Sequence, residues 1–302
     1  MKVLVIGKTF LDSIFLLDGF IKENSIVNSK GTFSTYGGII LSSLLLNKWG
    51  VDITLSTEVN TLELINKLDK LGINTSLTSL NDQISTRSII INKYNSASTV
   101  IISDKSTKNN IEPNTNFDII LMDESISVDA IKDIKGTKVL IVNNYKENTP
   151  KLCLLSDYII SSKEFAEITS KKRIDYNKPD TLKEVLNYME NTYNSKVIIF
   201  LEEKGYLYKV EDKIKVMSSL KVIKKNNSNI KDIFASSFVY GLTENLNLEK
   251  CLKIAAISAS LSTKNYDTYN NLPDINEVHD IYEKNRWSIY LLLWKNRFTW
   301  YD

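Results

Sequence analysis

The stretch KVLVIG, residues 2–7, opens the chain with a short apolar run that ends at a glycine. Similar runs recur as DITLST (52–57), DIILMD (118–123), KVLIVNN (138–144), DYIISS (157–162) and KVIIFLE (196–202). Longer helical patterns lie between many of them, as in ILSSLLLNKW (40–49) and TLKEVLNYMENTY (181–193). Buried parallel strands joined by crossover helices give this alternation. The sequence therefore predicts an α/β fold with a doubly wound, mostly parallel sheet flanked by helices.

Two stretches depart from this alternation. Residues 13–36 and 84–103 read as β-hairpin material, and KYNSAS (93–98) supplies a turn between two strands of the second stretch. We expect both to form a small β lid beside the main sheet, within one domain that spans residues 1–302.

Composition and charge narrow the choice of partner. The chain has 302 residues, of which 43% are hydrophobic, so it can bury a sizeable core. Its 38 Lys and Arg against 36 Asp and Glu leave a net charge of +2. Because so small a charge creates no field that attracts nucleic acid or an anionic membrane, we expect a small-molecule ligand.

Several catalytic and targeting classes are disfavoured. Cys153, Cys251 and the single histidine, His279, are too few and too scattered for a zinc site or for Ser-His-Asp catalysis. Lys8 and Asp12 are among the charges that interrupt the first twenty residues before they can form a signal sequence or a membrane span. These observations favour a cytoplasmic protein without stable membrane insertion.

The order of segments resembles the ribokinase family, also called the PfkB carbohydrate kinases. The resemblance runs from KVLVIGKTFLD (2–12) through YGGIILSSLLLNKWG (36–50) and STRSIII (85–91) to DYIISSKEF (157–165), VIIFLEEKG (197–205) and NNSNIKDIFASSFVYGL (226–242). It implies a ribokinase-like fold and ATP-dependent phosphorylation of a hydroxyl on a sugar or related polyol, with Mg²⁺ as the metal.

The resemblance also implies a substrate side. Asp12, just past the first strand, matches the acid that holds substrate hydroxyls, and Gly37 and Gly38 match paired glycines that let the backbone approach a ligand. Arg87 lies in the expected lid, where it can point towards a sugar or phosphate. The alternatives are a solvent-facing acid at Asp12, a plain turn at the glycines, and a solvated arginine on a strand.

On the nucleotide side, the resemblance covers two segments. Glu164 matches the glutamate that organises the magnesium shell through bound water, while Ser161 stands where the family has asparagine. Glu164 can equally be an ordinary acid in the first turn of a helix. Gly205 matches the glycine of the strand and turn that border the nucleotide, but Phe200 and Glu202 replace the small or hydroxyl residues expected there.

The third segment, NIKD, contains the expected catalytic base, Asp232. The family has Gly-Ala-Gly-Asp at a helix N-terminus, where backbone N–H groups hold the transferring phosphoryl group and the aspartate deprotonates the substrate hydroxyl. Here Asn229, Ile230 and Lys231 replace the three small residues, so bulk enters the phosphate cradle, although an ammonium at Lys231 can bind phosphate as a point charge.

Two function classes therefore stay open. One is a working sugar kinase. The other is a weak or inactive relative that binds a sugar, a nucleotide or a partner subunit, with Asp232 as an ordinary acid in a helix's first turn.

The C-terminal stretch RWSIYLLLWKNRFTWYD, residues 286–302, follows the last segment that matches the family. Its apolar residues recur at three- and four-residue spacing and predict an amphipathic helix with one aromatic face; they are Trp287, Tyr290, Leu291, Trp294 and Phe298. Such a face is seldom left in water, so we expect it to pack on the chain itself, in a homodimer, or at a membrane surface.

Overall fold

The computed structural model describes residues 1–19, 21–96, 98–109, 111 and 115–284, and the backbone of 289–291. The strands of these residues are β1 (Lys2–Ile6), β2 (Thr9–Leu17), β3 (Gly31–Gly38), β4 (Asp52–Ser56), β5 (Glu58–Val59), β6 (Ser79–Leu80), β7 (Ser85–Asn92), β8 (Ser98–Ser103), β9 (Asn116–Asp123), β10 (Lys135–Val142), β11 (Tyr158–Ser162), β12 (Lys196–Phe200), β13 (Tyr206–Val210), β14 (Lys213–Met217) and β15 (Ile289–Leu291). The helices are α1 (Ile39–Lys48), α2 (Leu62–Lys70), α3 (Thr149–Leu154), α4 (Lys163–Ser170), α5 (Pro179–Tyr193), α6 (Ile230–Thr243), α7 (Leu248–Ser262) and α8 (Ile275–Lys284).

Nine strands form the main sheet, in the order β15-β14-β13-β12-β11-β10-β9-β1-β4. The six from β12 to β4 run parallel to one another. The other three continue the sheet in antiparallel pairs. The predicted mostly parallel α/β sheet is therefore confirmed. Because carboxyl ends of parallel strands meet at one edge, the residues that follow β1, β9, β10 and β11 lie near one another.

Alternation along β1 shows how the main sheet is buried on both faces. Val3 and Val5 pack into a core with α1, α6 and α7, whereas Leu4 and Ile6 pack into a second core with α4 and α5. All four side chains are fully buried. Successive side chains of a strand point to opposite faces, so an uninterrupted apolar run is what a sheet covered by helices on both sides requires.

A separate small sheet of four strands, in the order β3-β2-β7-β8, confirms the small sheet predicted from sequence. Strands β2 and β3 extend beyond the predicted stretch 13–36, since β2 begins at Thr9 and β3 ends at Gly38. Ile14, Ile89 and Ile91 form a small core on it, with Tyr266 packed alongside. Strands β2 and β7 are parallel, and their register places Asp12 opposite Arg87.

The predicted C-terminal helix is wrong at Ile289–Leu291, where the backbone forms β15 and pairs antiparallel with β14. An open edge of β14 favours a paired strand over a helical turn there, because the pairing satisfies backbone N–H and C=O groups. The other residues of 286–302 lie outside the described residues. Within the described part of the chain, no helix is both long enough and apolar enough to cross a membrane.

Candidate active site

Asp232 is the third residue of α6 and lies at the point where the helix begins. Asn229 precedes the helix, but its side chain does not cap it, so the first-turn N–H groups receive no bond from that side chain. Burial raises the pKa of the Asp232 carboxyl to about 6; Arg87 opposes this effect, whereas the charges of Asp123 and Asp12 add to it. The site therefore holds a carboxylate that is a better base than an exposed one.

Asp12, Arg87 and Asn229 form a buried polar cluster, which we call the arginine clamp. Arg87 donates from Nε to Asp12 Oδ1 at 2.7 Å and from Nη2 to Asp12 Oδ2 at 2.6 Å. The same Nη2 donates to Asn229 Oδ1 at 2.7 Å. Asp12 is fully buried, and Arg87 and Asn229 are nearly so. Two of the predicted substrate contacts thus bond to each other and to the loop before α6.

The two glycines predicted to approach a ligand lie against this cluster. A Cβ on Gly37 would lie 1.8 Å from Arg87 Nη2 and 2.4 Å from Asp12 Oδ2. Gly38 precedes α1 with a φ of +73°, and a Cβ there would lie 2.4 Å from the backbone oxygen of Lys8. Both positions therefore require glycine for packing within the chain, whatever they contribute to ligand binding.

A cavity of about 340 Å³ lies beside the start of α6. Ile230, Lys231 and Glu164 line it. Its other lining residues include Ser162 and Lys163 where β11 passes into α4, Phe200 and Glu202 at the end of β12, Tyr206 on β13, Lys224 in the loop before α6, and Thr263 after α7. Gly205 is not among its described lining residues. It takes a φ of +96°, and its missing Cβ allows close contact with the backbone of Met217.

Lys231 places an ammonium group between this cavity and the main sheet. Its Nζ donates to Asn143 Oδ1 at 2.5 Å. Burial lowers the pKa of Lys231, while the carboxylates of Glu124, Asp232 and Glu164 act in the opposite direction. The hydrogen bond to Asn143 therefore holds the ammonium group in place at the cavity.

Three residues that the sequence analysis did not select also belong to this region. Asp123, at the end of β9, accepts from the backbone N–H of Lys8 at 2.8 Å and from that of Ser125 at 2.8 Å. Burial and the neighbouring Asp123 raise the pKa of Glu124 to about 7. Oε2 of Glu124 has no hydrogen-bond partner among the described residues. Asn143, the partner of Lys231, follows β10.

Glu124 also lines a second cavity, of about 360 Å³, with Lys8 and Lys146. Both lysines pair with Asp104. The sequence does contain a signal for Asp123, Glu124 and Asn143. They are the polar residues directly after DIILM and KVLIV, and so mark the carboxyl ends of parallel strands, where binding sites concentrate in open α/β sheets.

Magnesium fits this site only through water and phosphate. No group of three or more His, Cys, Asp or Glu side chains converges as a metal cage within the described residues. Mg²⁺ commonly keeps several waters and binds one or two carboxylates plus substrate phosphates. Glu164 lines the cavity beside the start of α6 and can serve as such a carboxylate.

Comparison with known proteins identifies the family. The model of the pfkB family carbohydrate kinases matches residues 1–275. The chain belongs to this family. A ribokinase of Lactococcus lactis subsp. lactis (strain IL1403) is 24% identical over 86 residues, which cover 28% of the chain and 29% of that ribokinase. The family match thus extends over most of the chain, whereas the alignment with the Lactococcus ribokinase covers less than a third of either protein.

Solved pfkB-like structures share the fold at low sequence identity. Ribokinase from Cryptococcus neoformans var. grubii serotype A in complex with ADP superposes with a TM-score of 0.74 at 17% identity, covering 92% of this chain and 99% of that one. Ribokinase from Arabidopsis thaliana with ribose and ATP gives 0.72 at 16% identity, covering 93% and 98%. Nucleoside kinase from Methanocaldococcus jannaschii gives 0.72 at 20%, covering 94% and 98%.

Proposed function

We propose that this pfkB-family chain transfers the γ-phosphoryl group of ATP to a hydroxyl of a sugar or related polyol, with Asp232 as general base. The observation that carries the proposal is the position of Asp232. Asp232 is a half-buried residue whose carboxyl pKa is raised. It lies in the first turn of a helix whose N-cap residue, Asn229, makes no side-chain cap, beside a cavity of about 340 Å³.

In the proposed step, Asp232 accepts the proton of the substrate hydroxyl as the oxygen attacks the γ-phosphorus, and ADP departs with the electrons of the broken P–O bond. Backbone N–H groups of the first turn of α6 and the ammonium of Lys231 contact the phosphate oxygens. Bound Mg²⁺ would neutralise negative charge on the phosphates, with Glu164 holding it through water. Ile230, in place of a small residue, narrows the cradle.

The substrate lies on the side of the small sheet in this proposal. Asp12 and Arg87 hold it, and Gly37 and Gly38 allow its close approach. Because Arg87 already occupies both oxygens of Asp12, the substrate either contacts the outer edge of this ion pair or displaces it. Displacement is costly, since separating a buried pair leaves an uncompensated charge.

That same ion pair supports a second candidate function. If Asp12 stays bonded to Arg87, the chain binds a nucleotide or a sugar without efficient transfer and acts as a weak or inactive relative. A thermal shift with ADP or sugars, in the absence of any phosphorylation, is the pattern expected for this alternative.

The test is a panel of sugars and polyols incubated with Mg²⁺-ATP and purified protein, with ADP release as the measurement. We expect at least one member to stimulate release above the rate with ATP alone. If no member does, and a chain with Gly-Ala-Gly at 229–231 also releases no additional ADP, the kinase proposal is wrong.

A further inference from the structure

The arginine clamp joins three parts of the chain that are distant in sequence. Arg87 lies on β7, Asp12 lies on β2, and Asn229 immediately precedes α6. The hydrogen bond from Arg87 Nη2 to Asn229 Oδ1 is 2.7 Å long and links residues 142 positions apart. It therefore connects the small sheet directly to the loop that begins the proposed phosphate site.

The hydrogen bond from Arg87 occupies the side-chain oxygen of Asn229, which could otherwise cap the N-terminus of α6. Asparagine is among the best N-cap residues because its side-chain oxygen accepts from a first-turn N–H group. At Asn229 that oxygen accepts from Arg87 instead, and no side-chain cap forms. Arg87 thus holds the potential cap away from the helix and keeps the N–H groups available to an anion.

The residues that follow Asn229 connect the arginine clamp to the cavity where a nucleotide phosphate would bind. Ile230 and Lys231, the two residues after Asn229, line the cavity of about 340 Å³. A phosphate bound there would contact the peptide groups that Asn229 orients. If the clamp favours the phosphate-binding arrangement of this turn, phosphate must favour the clamp to the same extent, because coupling between two equilibria is reciprocal.

We propose that Arg87 is a positioning residue that fixes Asn229 for phosphate binding and transmits nucleotide occupancy to the small sheet. The inference rests on the proposed function, since it requires that a nucleotide phosphate bind at the start of α6. It adds a role for Arg87 that does not depend on contact with the sugar, and a role for the asparagine that stands before α6.

The test uses hydrogen-deuterium exchange of the full chain, with ADP as the probe and calorimetry to establish saturation. We expect ADP to slow amide exchange in β7, residues 85–92, at least about fivefold in the wild type, which is the low end of typical coupling between sites. Asn229→Ala keeps the Arg87–Asp12 pair but removes the acceptor. In this variant, saturating ADP should slow exchange in β7 less than about twofold.

Two further variants separate positioning from general stability. Arg87→Lys retains a positive charge beside Asp12, but it lacks the fork that reaches both partners, so we expect it to lose the ADP effect as well. Lys93→Gln removes a charge from the residue after β7 without touching the clamp, and it should respond as the wild type does.

Unchanged exchange in β7 of wild-type protein that demonstrably binds ADP would overturn the inference. The same slowing in Asn229→Ala as in the wild type would also overturn it. If calorimetry detects no ADP binding to the wild type, the proposed function fails first, and this inference fails with it.

Discussion

The carboxyl group of Asp232 has two properties that act against each other. Proton transfer requires its ionised form, whereas burial favours the protonated form and raises its pKa to about 6. Above that pH the base is mostly ionised, so the proposed reaction should gain rate as pH rises through 6 and then level off. The same shift means that the folded chain binds a proton that the unfolded chain has already released.

This difference predicts a pH-dependent effect of Asp232→Asn on stability. The ordinary pKa is 3.8 and the folded value is about 6, so the stability from this group is full below about pH 4 and is lost as pH rises through 6. Because asparagine does not ionise, the variant should exceed the wild type by about 1–3 kcal/mol at pH 7.5 and by little at pH 4. Urea unfolding at both pH values measures the gap.

The exposed acid Asp82 provides a matched control, since Asp82→Asn should show no comparable gap. A destabilised Asp232→Asn at pH 7.5, or one equal to the wild type, would contradict the assigned cost of ionising this carboxyl.

Lys231 permits a second test at the residue scale. Its ammonium lines the cavity and has acids on several sides, so replacing it with alanine removes the positive charge nearest to the proposed phosphates. We expect Lys231→Ala to raise the Kd for ADP at least about tenfold, since hydrogen bonds to charged groups contribute roughly 1.5–3 kcal/mol. Calorimetry measures the change, with the exposed Lys250→Ala as control. Equal affinities in all three proteins would mean that Lys231 does not contact the phosphates.

At the scale of elements, the contact between β3 and the arginine clamp is tight enough to test by adding one carbon. A methyl group at Gly37 would overlap Arg87 Nη2, which a Cβ would approach to 1.8 Å. We expect Gly37→Ala to lower the free energy of unfolding by about 1–3 kcal/mol, as overpacking usually does. Gly19→Ala is the matched control, because a Cβ there meets nothing within 4 Å. Equal melting temperatures for the two variants would contradict the packing described for the clamp.

The elements themselves were largely predictable from sequence. Six apolar runs became strands of the main sheet because a strand segment buried on both faces must be apolar, as β1 is from Val3 to Ile6. The small sheet was predictable from the β-branched run around Ile89. Its start at Thr9 was not, because apolar residues stand next to one another there and do not alternate with polar ones as in a half-buried strand.

The chemistry of the site was only partly predictable. Asp232 follows from the resemblance and from its place at a helix start. The Asp12–Arg87 pair depends on the parallel register of β2 and β7, which no local pattern specifies. Glu124 and Asn143 needed the order of strands in the sheet, because only that order brings the ends of β9 and β10 beside α6.

At the scale of the whole molecule, the stretch after α8 extends the main sheet at its β14 edge. Ile289–Leu291 add a strand to the edge of the main sheet at β14, and residues 292–302 lie beyond the described chain. Removing residues 287–302 would expose the backbone groups of the β14 edge, which favours association between chains. We expect the shortened protein to melt at a lower temperature or to be less soluble than a chain that lacks only 301–302.

Sedimentation of the same proteins tests the homodimer that the aromatic residues of this stretch suggest. A lower mass after removal of 287–302 would support a dimer contact. An unchanged mass together with an unchanged melting temperature would contradict both packing on the chain and dimerisation.

The most direct test of the account compares wild type and Asp232→Asn with Mg²⁺-ATP and the sugar that best stimulates ADP release. We expect kcat/KM to fall about 10²- to 10⁴-fold, the usual contribution of a general base, because the amide keeps the shape of the carboxyl but accepts no proton. Calorimetric affinity for ADP should change less than about twofold in the same variant, since Asp232 takes the hydroxyl proton in this account and does not hold the phosphates. Equal turnover by the two proteins would contradict the central claim that Asp232 is the base.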